Sequence, residues 1–118
     1  LLFASGSADL NQKGIDALKK VALDIKASPH GQIQVRGHTD SDPIKKPSTL
    51  KSFPKGNIQL SAERAVSVAV LMLKQKGLSG KDLLVLGFGS HQPLRPNNSA
   101  ENKRLNRRVE IFVADAGE

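Results

Sequence analysis

Apolar residues recur along this chain with two different periods, and the period sets each element. From about Asn11, the residues Ile15, Leu18, Val21, Ala22 and Ile25 return every three or four positions, with Lys19, Lys20, Asp24 and Lys26 between them. That spacing predicts an amphipathic helix, stopped by Pro29 and Gly31. Ile33 and Val35 then alternate with Gln34 and Arg36, the period of a strand, which runs into Gly37-His38-Thr39-Asp40. Ser61 has the chemistry of an N-cap for a second helix. In it Ala65, Val68, Ala69 and Met72 form one stripe, which Val66, Val70 and Leu73 widen, and Lys74, Lys76 and Gly77 mark its end. Leu83 to Leu86 form an apolar run of strand length closed by Gly87-Phe88-Gly89, and Val109, Ile111 and Val113 alternate as a last strand.

Between these elements the chain loses its period. Leu1 to Phe3 reads as the end of a short strand followed by a turn of small residues, Ala4 to Ala8. Residues 41–58 hold Pro43, Pro47, Pro54 and Gly56 and read as a long loop, a type that is uncommon in compact domains and often functional. Residues 89–106 form another polar loop, with a helical turn expected near Ala100 to Leu105. The resulting order is β-α-β-α-β-β, one sheet covered by two main helices, with helical crossovers that favour parallel pairing of the early strands.

With 118 residues the chain has room for a single domain over 1–118 that can bury a core without metals or disulfides, and it has no cysteine. No apolar run reaches the length of about 18 residues that a membrane span needs. The opening Leu1-Leu2-Phe3 reads as an excised domain whose targeting segment lies upstream. The formal charge of +7 is concentrated in two places. Residues 41–58 carry Lys45, Lys46, Lys51 and Lys55 against Asp42, and residues 95–108 carry Arg95, Lys103, Arg104, Arg107 and Arg108 against Glu101, while the rest balances. A basic chain keeps nucleic acid and anionic polymers in view. Without Trp or Tyr, and with its four Phe in or beside apolar segments, it lacks the stacking platforms of nucleic-acid binders, so no nucleic acid is expected as a partner.

Candidate chemistry gathers where the second strand meets the long loop, the edge of an α/β sheet at which ligands bind. Arg64 falls in the expected first turn of the second helix, an unfavourable place for a cation unless Glu63, Asp40 or a bound carboxylate compensates it. His38 and Asp40 stand two apart on a strand end, which is no metal pair. No third ligand follows at a recognisable spacing, and no GxSxG elbow is present. Neither catalysis nor a metal or other cofactor is expected.

Three segments, GHTDSDPI at 37–44, NIQLSAERAVSV at 57–68 and NRRVEIFV at 106–113, with GFGSHQP at 87–93 between them, resemble the OmpA/MotB C-terminal family of peptidoglycan-binding domains in order and spacing over nearly the whole chain. Phe53-Pro54 before the N-x-x-L-S-x-x-R-A motif, and Pro43-Ile44 after GHTD, look more like flagellar stator B subunits than like porins or lipoproteins of the family. Against that, Ile58 stands where stator proteins often have Trp. The resemblance implies an α+β sandwich with a mixed four-stranded sheet. It also implies non-covalent binding of the diaminopimelate side chain of the peptidoglycan stem peptide, with Asp40 on the ammonium and Arg64 on the carboxylate. Thr39, Asn57, Leu60 and Arg108 match positions that line or brace the site in relatives. Ala4 stands where many members have Asp, so one ligand contact is expected to be missing.

The expected function is therefore a periplasmic anchor that ties a membrane-attached protein to the cell wall, its membrane segment lying upstream of Leu1, with homodimer formation left open. The alternative is a self-association or partner-protein module of the same fold that has lost wall binding, a reading favoured by Ala4 and the long basic loop.

Overall fold

The structure, a computed structural model, describes residues 2–117. Helix α1 spans Gln12–Lys26, and Asn11 caps it by accepting the Gly14 amide at 2.8 Å. Strand β1 (Ile33–His38) follows, then a short helix α2 (Pro47–Ser52) and the long helix α3 (Asn57–Leu73). A 3-10 turn at Gly80–Asp82 leads into β2 (Leu83–Gly87), and helix α4 (Ala100–Asn106) into β3 (Arg108–Val113). The strands form one mixed sheet in the order β2-β1-β3, with β1–β2 parallel and β1–β3 antiparallel. Parallel pairing across the α3 crossover is what the alternation of elements predicts.

Among the described residues the expected sheet of four strands has three. Phe3 makes only an isolated antiparallel bridge to Leu10, and Leu1 lies outside the described residues. The expected turn at Ala4 to Ala8 is present, with the Ser7 amide donating to the Ala4 carbonyl at 3.1 Å, and it folds this segment back on itself before a ladder can form. The long loop also differs from its expectation. Pro47 starts α2, and the Phe53 amide closes that helix on the Thr49 carbonyl, so residues 41–58 contain a helix too short to show a period.

The core lies between one sheet face and the two long helices. Leu18 of α1, Ile33 and Val35 of β1, and Ala65, Val68, Ala69 and Met72 of α3 form a single buried cluster. Val66, Val70 and Leu73 do not widen it, since each keeps between 41% and 45% of its surface exposed. The sheet ends at β2, so the outer flank of α3 has no further strand to cover. Two strand glycines bring α3 onto the sheet: a Cβ at Gly37 would lie 2.0 Å from the Ser61 carbonyl, and one at Gly87 would lie 2.6 Å from the Ala62 Cβ. These paired glycines fix the place where α3 crosses the C-terminal ends of β1 and β2.

Candidate functional site

Helix α3 begins earlier than its sequence suggests. Gly56, at φ 79°, turns the chain into Asn57, so Ser61 is no N-cap but a fully buried residue in the second turn. Its hydroxyl donates to the Ile58 carbonyl at 2.9 Å and accepts the Gly89 amide at 2.9 Å. Arg64 consequently lies about two turns inside the helix, beyond the reach of the N-terminal dipole, and no clash with that dipole needs compensation. Among the described residues it pairs with neither Asp40 nor Glu63. Main-chain oxygens hold it instead: Nε donates to Ser7 at 2.8 Å and Nη2 to Ala4 at 3.3 Å, while the guanidinium lies 5.2 Å from the centre of the Phe3 ring. The N-terminal turn thus seats Arg64, and the two donors of Nη1 meet no protein acceptor among the described residues.

Past the end of β1, Thr39 and Asp40 are buried, with 5% and 7% of their surface exposed. The Thr39 amide donates to the Gly89 carbonyl and its hydroxyl to the Asp40 carbonyl, which locks the turn. Asn57 Nδ2 spans the same turn, donating to the Asp42 carbonyl at 2.8 Å and the Asp40 carbonyl at 3.4 Å. The Asp40 carboxylate accepts the Asp42 amide on Oδ1 at 2.9 Å and Arg107 Nη1 on Oδ2 at 2.5 Å. A carboxylate offers about four acceptor sites, so about half of its capacity is left.

These groups face one cavity of about 660 Å³. All six expected site residues line it: Asp40, Arg64, Thr39, Asn57, Leu60 and Arg108. Ala4 lines it too, as do Lys45, Lys46 and Arg107. Sequence reasoning missed Arg107, the ion-pair partner of Asp40, and Asn106, whose carbonyl accepts Arg108 Nη1. Asn106 is fully buried, and its amide makes four hydrogen bonds: Oδ1 accepts the amides of Leu94 and Arg95, and Nδ2 donates to the Arg95 carbonyl and Asn97 Oδ1. The signal was the N-R-R triplet itself, in which one uncharged residue precedes two cations.

Arg108 is held from the other side of the sheet. Its Nε donates to Glu110 Oε2 at 2.9 Å, Nη1 to the Asn106 carbonyl and Nη2 to the Gln92 carbonyl. Glu110 Oε1 lies 2.8 Å from His38 Nε2, and the imidazole stacks on Phe88 with the rings 5.1 Å apart. His38 Nδ1 is buried and has no hydrogen-bond partner among the described residues. Burial, then the Arg108 charge, lowers the His38 pKa against the opposing pull of Glu110. Burial raises the Glu110 pKa, but the hydrogen bond and charge of Arg108, helped by His38, outweigh it and leave the value lowered. Burial and the nearby Arg107 also lower the Arg64 pKa, with Asp40 opposing. An arginine nevertheless stays charged at any physiological pH.

This arrangement suits recognition. The Thr39 hydroxyl is committed to the Asp40 carbonyl, and the His38 imidazole, which does not line the cavity, is committed to Glu110. Among the described residues no three His, Asp or Glu side chains are grouped to hold a metal ion. The cavity does offer a desolvated guanidinium with free donors and a carboxylate with free acceptor sites, a pair that fits a ligand bearing both a carboxylate and an ammonium.

Comparison with known proteins bears on the same segments. The chain is 31% identical over 117 residues to Motility protein B of Bacillus subtilis, covering 99% of this chain and 43% of that protein. It is 32% identical over 114 residues to the Peptidoglycan-binding protein ArfA of Mycobacterium tuberculosis, covering 96% of this chain and 32% of that one. The chain therefore spans less than half the length of either relative. The crystal structure of the C-terminal domain of MotB from Helicobacter pylori superposes with a TM-score of 0.82 at 30% identity, covering 98% of this chain and 84% of that one. Residues 2–107 match the OmpA family, so the chain belongs to that family.

Proposed function

We propose that residues 1–118 act as one non-catalytic domain that binds peptidoglycan in the periplasm and anchors a membrane-attached protein to the cell wall, as in a flagellar stator B-type subunit. Arg64 takes the carboxylate of the diaminopimelate side chain through Nη1, and Asp40 takes its ammonium on the acceptor sites that Arg107 and the Asp42 amide leave free. Thr39 and Asn57 hold the Asp40 turn, Leu60 supplies an apolar wall for the methylene chain, and Arg108 braces the cavity floor through Glu110. The observation that carries this reading is the meeting, in one cavity, of a buried arginine with unused donors and a buried aspartate with unused acceptor sites. The names of relatives, one a motility protein and one a peptidoglycan-binding protein, point the same way.

Sedimentation with purified sacculi of the diaminopimelate type tests it. The protein should pellet with the sacculi, and folded Asp40→Asn should stay in solution. Equal pelleting of the two would remove Asp40 from the site, and a wild-type protein that never pellets would favour the self-association alternative.

A further inference from the structure

The charges around the cavity do not balance against a ligand end that is itself neutral. Among the described residues five cations line it, Lys45, Lys46, Arg64, Arg107 and Arg108, against the single carboxylate of Asp40. Arg107 spends its charge on Asp40, and Arg108 on Glu110. Lys45 and Lys46 are exposed, adjacent, and form no ion pair among the described residues. The acid nearest to them in sequence, Asp42, is engaged elsewhere, by Lys103 Nζ at 3.1 Å. A zwitterionic side-chain end gives Arg64 its anion and leaves both lysines unanswered.

Nor is the segment that bears these lysines a loose flap. It leads directly into α2, whose Thr49 is buried against the N-terminal turn: a Cβ at Gly6 would fall 2.6 Å from Thr49 Oγ1. Phe53, at the end of the same helix, is buried too. The backbone that carries both lysines is thereby anchored at the cavity wall, and an anion bound there relieves the repulsion of two adjacent like charges. Lysine suits this role, being a mobile point charge that needs no fixed fork geometry.

We infer that Lys45 and Lys46 form a second carboxylate subsite at the cavity wall, which takes the acidic group of the stem-peptide residue next to the diaminopimelate. This rests on the proposed peptidoglycan reading and adds a specificity to it. In the stem peptide that neighbour is a γ-linked glutamate, whose α-carboxyl is either free or amidated. The subsite reads that difference: it binds the free acid and gains nothing from the amide.

Calorimetric titration with two synthetic peptides, Ala-γ-Glu-diaminopimelate with the glutamate α-carboxyl free or amidated, tests the inference. The wild-type protein should prefer the free acid by roughly fivefold, the scale of partly exposed charge pairs. Lys45→Gln/Lys46→Gln should bind the two peptides equally, because its loss falls on the acid form alone. Equal affinities in the wild type, or a preference that survives in the double variant, would overturn the subsite while leaving Asp40 and Arg64 as the binding pair. Failure of both peptides to bind the wild type would overturn the peptidoglycan reading and the subsite with it. A wild type that ignores the difference between the peptides yet binds a phosphodiester polymer through the same lysines would reassign them to a different wall polymer.

Discussion

The two ends of the sheet carry hollows of opposite character. At the C-terminal end of β1 the cavity of about 660 Å³ is bordered by five cations and one buried carboxylate. At the other end a hollow of about 280 Å³ is bordered by Asp24, His30 and Asp115, with no lysine or arginine among the described residues on its wall. The second end is closed by main-chain pairing, the Gly31 amide donating to the Ala114 carbonyl and the Ala114 amide to the Gln32 carbonyl, both at 2.8 Å. At the first end Gly37 and Gly87 seat α3 on the strands, and the N-terminal turn, the 39–49 segment and the N-R-R triplet enclose the space that remains. The two hollows differ in buried charge more than in depth alone, and that difference is the ground on which we propose the first end as the site. Desolvated ionic groups are costly to assemble, and here they keep unspent hydrogen-bonding capacity.

Substitutions sharpen this contrast, beginning with the largest effect. Asp40→Asn preserves shape and removes charge, and it should cost about 2–4 kcal/mol of stem-peptide binding, read by titration, with the thermal midpoint little changed. Gly37→Ala drives a methyl into the Ser61 carbonyl and should destabilise the fold by about 3 kcal/mol, read by urea denaturation, because neither strand nor helix can withdraw. Arg64→Lys keeps the charge, but a single ammonium cannot hold the two N-terminal carbonyls and also donate to a carboxylate as the guanidinium does, so binding should fall roughly tenfold. A normal affinity for Arg64→Lys would mean that charge alone suffices.

Acid should weaken the fold through the pair on the far face. The His38 pKa is lowered in the folded protein, so its contribution is complete above the ordinary histidine value of 6.5 and is lost as pH falls below it towards the folded value. Glu110 is lowered as well, and its contribution is lost at still lower pH, as protonation breaks its bonds to Arg108 and His38. The urea midpoint should therefore fall as pH drops below 6.5, and in His38→Gln the first part of that fall should vanish. The smallest effect belongs to the acidic end: Asp24→Asn and Asp115→Asn should leave stem-peptide affinity unchanged within about 0.5 kcal/mol.

Legibility followed the range of the forces involved. Helix α1, its Asn11 boundary, β1 and β3 were readable because their periods are local and strong. The start of α3 was misplaced because a positive-φ glycine, Gly56, opens the helix without a side-chain cap, and Ser61 offered cap chemistry that the fold spends on the Gly89 amide. The six candidate residues were named from motifs, and they do share a cavity. Their partners were not readable: the carbonyl seat of Arg64 spans 57 residues of sequence, and the Arg107–Asp40 pair spans 67. Exposure of Val66, Val70 and Leu73 likewise depends on where the sheet stops, which no local pattern records.

The central claim is that the cavity clasps a ligand end carrying both a carboxylate and an ammonium. Titration of the wild-type protein with two soluble stem peptides, identical except that one carries diaminopimelate and the other lysine at the same position, tests it most directly. The lysine peptide keeps the ammonium and lacks the side-chain carboxylate, so it should bind at least tenfold more weakly, about 1.4 kcal/mol. Equal affinity for the two peptides would contradict the account, because Arg64 would then have no carboxylate to recognise.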